Sequence, residues 1–290
     1  GTDTADTGAP DDSGDTGDAG DPGGALTWWY TDGDGDGAGD PEDGVQAAEQ
    51  PERRVGNAWD CDDTDPTEPV WVSPSGLGSG TGRIDNPLGT IQGAFAVALQ
   101  CVRVEAGDYS EDLDPGGRNL DVWGVEGSAA TVVHGLGDRS VLSVDGAETV
   151  RLRGFTLTGG GGNLSSTTVD YHVGGGVSVS AADLALEDVA IVGNFAHGGG
   201  GVWIGSGSLV MTDVIISGNA GDGGGAFVQE GGEVVGTRIR IEENTGTYGA
   251  AGLFSGGTAT LTNFIVNANR GSLVSDGVYL MREDCRVTNA

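Results

Sequence analysis

Lysine is missing from this chain altogether. All 13 basic residues are arginine, they face 44 acidic residues, and the formal charge is −31. Such an excess excludes a nucleic-acid binder, whose affinity rests on cations set against phosphates, and excludes docking on an anionic membrane surface. It favours cations as ligands, or solubility in a salty exterior. Cysteine is scarce too: Cys61, Cys101 and Cys285 are odd in number and widely spaced. They make no disulfide framework; at most one pair forms, and any of the three is open to being left over. No run approaches the roughly 18 apolar residues of a membrane span. Motifs of the G-x-S-x-G, H-E-x-x-H and P-loop kinds are absent, and His134, His172 and His197 are dispersed without ligand partners at metal spacing.

Glycine, by contrast, is the commonest residue, at 57 of 290. Without a G-X-Y period this is not collagen, so it signals either disorder or a chain that turns very often. Composition divides the chain in three. Residues 1–24 contain no Val, Leu, Ile or aromatic residue and read as a disordered acidic Gly/Asp/Thr tether, unable to bury enough apolar area to offset ordering. Residues 25–70 open on Trp28, Trp29 and Tyr30 and carry two dense aspartate clusters. Residues 71–290 are rich in short β-prone runs. Of the charge, −18 lies in residues 1–70 and −13 in the other 220. Cations should matter at the front.

A repeat dominates the back. Asn194, Asn219, Asn244 and Asn269 stand 25 residues apart, and apolar columns keep the same step. They run Leu184, Leu209, Val234, Ala259; Leu186, Met211, Gly236, Leu261; Val189, Val214, Ile239, Phe264; and Ile191, Ile216, Ile241, Val266, with Gly236 the one lapse. Alternation of period two turns one face of each short strand inward. The two-residue interruptions at Glu187-Asp188, Thr212-Asp213, Thr237-Arg238 and Thr262-Asn263 should turn the chain between two sheets. A third strand follows at Val177/Val179 and Val202/Ile204.

The fold expected is therefore all-β: a right-handed parallel β-helix, a single-stranded solenoid of about 25 residues per coil. Pro87–Leu99 reads as a short N-terminal capping helix, and the Asn column as a hydrogen-bonded ladder. Phe155 falls 34 residues before Val189, so an excess of nine projects as a loop near residues 163–172. Gly277-Val278 should repeat Gly252-Leu253. The first residue is Gly rather than Met and the last coil stops at Ala290, so the chain reads as part of a longer protein, its β-helix C-terminally incomplete.

These runs (VAIVGN, VIISGN, IRIEEN, FIVNAN) with their GG-(V/A) corners resemble the repeats of polymorphic outer-membrane proteins and related bacterial surface β-helices. The entry segment from Trp71 through VRVEAGDYSE resembles the capped start of secreted β-helices, many polysaccharide lyases among them. Adhesins, lyases and tail-spikes share that architecture, so the resemblance implies fold rather than function. The tether is similar to the stretch behind the lipid-bearing Cys of bacterial lipoproteins, which implies a lipid anchor upstream of residue 1.

Two motifs carry chemistry. Counting Asp32 as position 1, carboxylates fall at 1, 3, 5, 9 and 12 (Asp32, Asp34, Asp36, Asp40, Asp43) with Gly37 at 6, the ligand spacing of an isolated calcium loop. The second is Asp60-Cys61-Asp62-Asp63-Thr64-Asp65. All nine aspartates are candidate metal ligands, and an oxygen-only set favours Ca²⁺. Together, residues 29–66 resemble the MopE-type acidic metal-binding motif of bacterial surface proteins. That family usually has a second Cys a dozen residues before Cys61, where this chain has Ala47 and Ala48. The departure leaves Cys61 unpaired or paired elsewhere, and makes calcium the main tie in this segment.

The function expected is a secreted or cell-surface calcium-binding scaffold without catalysis, contacting extracellular carbohydrate or protein, on the outer surface of a bacterium. Asp213 and Arg238 can pair across coils, and Arg151/Arg153 point outward with no acidic column beside them, so the arginines need no catalytic role. A secreted polysaccharide lyase or hydrolase is the alternative, with Asp170, Tyr171 and His172 of the inserted loop the place to look. A filament or envelope subunit is a third reading.

Overall fold

The structure, a computed structural model, describes residues 26–281 except 36, 41, 59, 62, 64–68 and 167–170, and the backbone of 286–289. The tether, Asp36, Asp62, Asp65, Asp170 and Cys285 lie outside the described residues. Within them the protein is all-β with parallel sheets, and its α-helix is the seven-residue Ile91–Val97.

Alternation along each strand supplies the core. Ala182–Val192 pairs in parallel with Gly207–Ser217, setting Leu184 on Leu209, Leu186 on Met211, Val189 on Val214 and Ile191 on Ile216. Glu233–Thr237 and Thr258–Thr262 extend the first two columns to Val234, Ala259, Gly236 and Leu261. Gly236 is no gap, because the Leu261 and Ile239 side chains close over its position. These strands belong to a thirteen-stranded sheet. A six-stranded sheet stacks Val177–Val179 on Val202–Ile204 and Phe227–Gln229, and a four-stranded one stacks Phe195–Ala196, Ala220–Gly221, Thr245–Gly246 and Arg270–Gly271. The chain visits the three in turn, once per repeat.

The Asn column is the expected ladder, and it is buried. Asn194 donates its backbone N–H and its side-chain amide to Oδ1 of Asn219, at 2.9 and 3.0 Å; Asn219 does the same to Asn244, and Asn244 to Asn269. Each amide also donates to a strand carbonyl of the preceding repeat, at Ile191, Ile216 and Ile241. In Asn194, Asn219 and Asn244 every amide hydrogen and oxygen thus finds a partner inside the stack, which a buried polar group requires.

Several expectations need correction. Asp188 and Asp213 do not turn the chain between sheets, whereas at Arg238 and Asn263 the strand ends and Arg240–Glu242 or Ile265–Asn267 begins beyond it. All four are single left-handed residues (φ 49, 54, 57 and 53°), and Ala182–Val192 and Gly207–Ser217 run on through the first two as unbroken strands. There one such residue bends a strand without ending its ladder. Gly154 heads this column at φ 74°, the conformation glycine adopts without steric cost.

The helix starts four residues later than its proline suggested. The Thr90 hydroxyl caps it by accepting from the Gly93 N–H at 3.2 Å, while the Glu111 carboxylate accepts from Ile91 and Gln92 at 2.9 Å each. Leu88 bridges Val72 instead, and Leu99 is exposed. Ile91, Ala94 and Phe95 are buried against Val70–Leu77 and Cys101–Val104. The nine-residue excess forms an antiparallel hairpin, Asn163–Ser166 with Tyr171–Val173, and Phe155 pairs with Val189 as the count of 34 requires. At the far end Val278 pairs with Gly252 rather than Leu253, so the last repeat is one residue longer than expected.

Ahead of the parallel sheets, Thr27–Thr31 pairs antiparallel with Gly44–Ala47 and Arg54–Val55. Of the cysteine pairings left open, Cys61–Cys101 is the one formed, with Cα atoms 6.0 Å apart. A covalent bond therefore ties the acidic segment to the large sheet, where the sequence had left calcium to do so. No helix among the described residues is long and apolar enough to cross a membrane.

Candidate functional site

The disulfide sets the second aspartate cluster on the sheet, and hydrogen bonds from Gly33 to Asp63 and from Asp60 to Gly39 join the first cluster to it. In the first loop the Asp32 carboxylate accepts from the Gly35 N–H at 2.7 Å, and Asp34 is half-buried beside it. Gly33 donates its N–H to Asp63 at 2.5 Å, and the Asp63 carboxylate fills the space a Cβ at Gly33 would take. Only glycine fits there. Asp40 donates its N–H to the Thr31 carbonyl at 2.8 Å and accepts from the Glu42 N–H at 2.7 Å. Asp60, buried, donates its N–H to the Gly39 carbonyl at 3.1 Å. Asn57 fastens the same stretch, accepting from Gly39 at 3.2 Å and donating to the Gly37 carbonyl at 2.9 Å.

Asp43 is directed elsewhere. Its carboxylate accepts from the Thr31 hydroxyl at 2.5 Å and from Arg54 at 3.2 Å, and these two bonds hold it below the ordinary aspartate range. Asp60 also lies with Cys61 and Cys101 inside 4.8 Å, a group that suggests a metal site. Both sulfurs are oxidised in the disulfide, so no thiolate is on offer.

Beneath the clusters is a ladder that the sequence reading missed. Strands Cys101–Val104, Leu120–Gly124 and Thr149–Thr158 run parallel, and their outward residues form two columns: Cys101, Asp121, Arg151, and Arg103, Trp123, Arg153, Glu187. Asp121 sits between the arginines, 3.3 Å from Arg103 and 3.0 and 3.1 Å from Arg153. The Arg153 guanidinium lies over the Trp123 ring at 4.9 Å and that of Arg103 at 5.5 Å. Arg151 donates to Glu187 at 2.8 Å. The arginines do have acidic company, contrary to expectation.

Electrostatics separates these guanidinium groups. Arg103 is wholly buried, and burial lowers it to about 10 although Asp121 pulls the other way. For Arg151 burial is outweighed by the Glu187 hydrogen bond and the Asp121 and Glu42 carboxylates, which leave it above the ordinary value. Asp40, Glu42, Asp60 and Asp63 on one side, and Asp121, Arg151 and Arg153 on the other, enclose a cavity of about 230 Å³.

The 25-step could not have found this ladder. Asp121 lies 20 residues after Cys101 and Arg151 lies 30 after Asp121, so the first repeats are unequal. The only signal was local: VRV, LDVWG and VRLRG each alternate buried apolar with outward polar residues. The histidines also need correction. His172 and His197 are 25 residues apart and do meet: the His172 N–H donates to Nδ1 of His197 at 3.1 Å, and Tyr171 stands 5.7 Å from the His197 ring. Asp213 and Arg238 pair as expected, through two bonds of 2.6 Å.

No protein-family model matches the sequence, and no curated protein matches it. Among solved structures, the pectin methylesterase of Aspergillus niger matches in two deglycosylated forms, at 13% and 12% identity. Each match covers 78% of this chain and 86% of that one, with a TM-score of 0.43. A likeness at that level passes on neither activity nor substrate. The expectation of a non-catalytic scaffold is nevertheless corrected here. It rested on arginines without acidic company, and Arg151 and Arg153 have that company in Glu187 and Asp121. Arg151, Arg153 and Asp121 pair across neighbouring strands and also line the cavity.

Proposed function

We propose that the protein is a secreted or surface-exposed enzyme that cleaves acidic polysaccharides. The observation that carries this reading is the cavity in which Arg151 and Arg153, beside Asp121, face Asp40, Glu42, Asp60 and Asp63. Guanidinium forks match carboxylates two bonds at a time and suit the uronate groups of such a glycan. Carboxylates across the same cavity are placed to move protons at the glycosidic bond. Trp123 and Asp121 hold the Arg153 head in place, so little ordering is left for substrate binding.

The acidic segment, residues 25–70, is on this reading a Ca²⁺ module of the MopE type. Asp32, Asp34, Asp40, Asp60 and Asp63 offer oxygen alone, the donor chemistry of a hard cation. When bound, Ca²⁺ supplies positive charge that offsets the carboxylates and favours a polyanion in the cavity. The parallel sheets are the faces of a right-handed β-helix of about 25 residues per coil. Support comes from strand partners 25 residues apart, from the Asn ladder and from the passage of the chain through three sheets in turn. The Cys61–Cys101 disulfide supports an oxidising, extracellular setting.

The test is turnover of polyuronates with Ca²⁺ and with a chelator. New chain ends are expected with Ca²⁺, and Arg151→Ala should slow their appearance by about 100-fold, as loss of one preorganised charge does. An unsaturated, ultraviolet-absorbing product identifies elimination; saturated reducing ends identify hydrolysis. If the folded protein produces no new ends from any polyuronate, the reading is wrong.

A further inference from the structure

The six-stranded sheet carries a second cavity of opposite character, on which nothing above depends. By alternation, Val202 and Ile204 point inward and are fully buried, so Trp203 points outward, and Val228, Leu253 and Tyr279 follow it in register. An outward column so apolar and aromatic is unexpected in a chain with a charge of −31. The inserted hairpin delivers Tyr171 to the edge of this column, and Tyr248 flanks it at 45% exposure.

Between them opens a cavity of about 480 Å³, with Val228, Leu253, Tyr171, Tyr248, Asp222 and Glu230 among its walls. Its volume falls within the roughly 300–1,000 Å³ of small-ligand sites, and its make-up is theirs: an apolar floor with few polar groups. Burial, then Glu230 and Asp222, raise the Tyr171 phenol, so it stays a hydrogen-bond donor. No arginine lines the cavity among the described residues.

We propose that this cavity binds a neutral segment of a glycan. Sugar rings present apolar C–H faces to Tyr248, Tyr171 and Leu253, and their hydroxyls donate to Asp222 and Glu230, which accept strongly because they are charged. The same carboxylates repel uronates. The two cavities therefore sort sugars by charge, acidic units to the arginines and neutral units here. This site stands whether or not the protein cleaves anything, because it is read by binding.

Calorimetric titration of the whole chain with neutral oligosaccharides, with oligouronates and with an Arg-rich peptide tests the proposal. A neutral oligosaccharide should bind, and Tyr248→Ala and Glu230→Gln should each weaken it by about tenfold, roughly 1.4 kcal/mol. Both side chains are exposed, so the thermal midpoint should stay in place. Spectral shifts of the Tyr171 and Tyr248 ring resonances in the unaltered protein give a second readout that needs no variant. The proposal fails if no neutral oligosaccharide binds, if both variants bind as the parent does, if the shifts fall only elsewhere, or if the peptide binds in preference to every sugar.

Discussion

Asp43 and Asp213 have the same chemistry in different surroundings. Asp43 is held below the ordinary aspartate value first by the Thr31 hydroxyl and then by Arg54; Asp213 is held below it by its hydrogen bonds with Arg238. Both folded values are depressed. Their contribution is therefore complete above the unfolded aspartate value of about 3.9, and it is lost as pH falls through the lower folded value. Both groups face solvent, so the effect on stability is small and best read site by site. In a carboxyl-detected NMR titration, Arg54→Ala should raise the Asp43 midpoint without restoring it fully, because the Thr31 bond remains. An unchanged midpoint would show that the guanidinium does not act on it.

At the scale of elements, the Asn ladder adds buried side-chain hydrogen bonds to the parallel strand pairing that holds one repeat on the next. Asn219 accepts from both nitrogens of Asn194 and donates to Ile191 and Asn244, all in the buried interior. Asn219→Ala leaves these groups without partners where water does not reach. Each buried unsatisfied group costs about 1–3 kcal/mol, so a loss of roughly 3 kcal/mol or more is expected in denaturant unfolding. Asp213→Asn on the surface should cost far less. Equal costs would mean that the ladder is incidental to stability.

At the scale of the molecule, the disulfide joins two parts of different build: a small antiparallel sheet with its acidic loops, and the long parallel stack. Cys61 and Cys101 are 40 residues apart, and closing such a loop stabilises by roughly 3–4 kcal/mol in the chain-entropy account. Cys61→Ser should therefore lower the thermal midpoint and open the arginine cavity, because the disulfide fastens Asp60 and Asp63 to the sheet. Limited proteolysis is the readout, with new cleavage expected ahead of Val70. If the cleavage pattern is the same in parent and variant, packing alone holds the acidic segment in place.

What the sequence by itself determined is the part governed by repetition. Equal spacing makes neighbours of identical positions, so the ladder of Asn194, Asn219, Asn244 and Asn269 and the columns from Leu184 to Leu261 follow from counting; the same step separates His172 from His197, a pair the sequence reading leaves dispersed. The spacing of Asp32, Asp34, Asp40 and Asp43 was legible too, but not that Thr31 and Arg54 engage the Asp43 carboxylate. Tertiary structure alone decided the rest. Which cysteine Cys61 takes, which loop Asp63 reaches, and which outward residues stand together at Asp121, Arg151 and Arg153 depend on repeats of unequal length and on contacts between distant segments. No period encodes these, because a side chain's neighbours across unequal turns are set by how the whole chain packs.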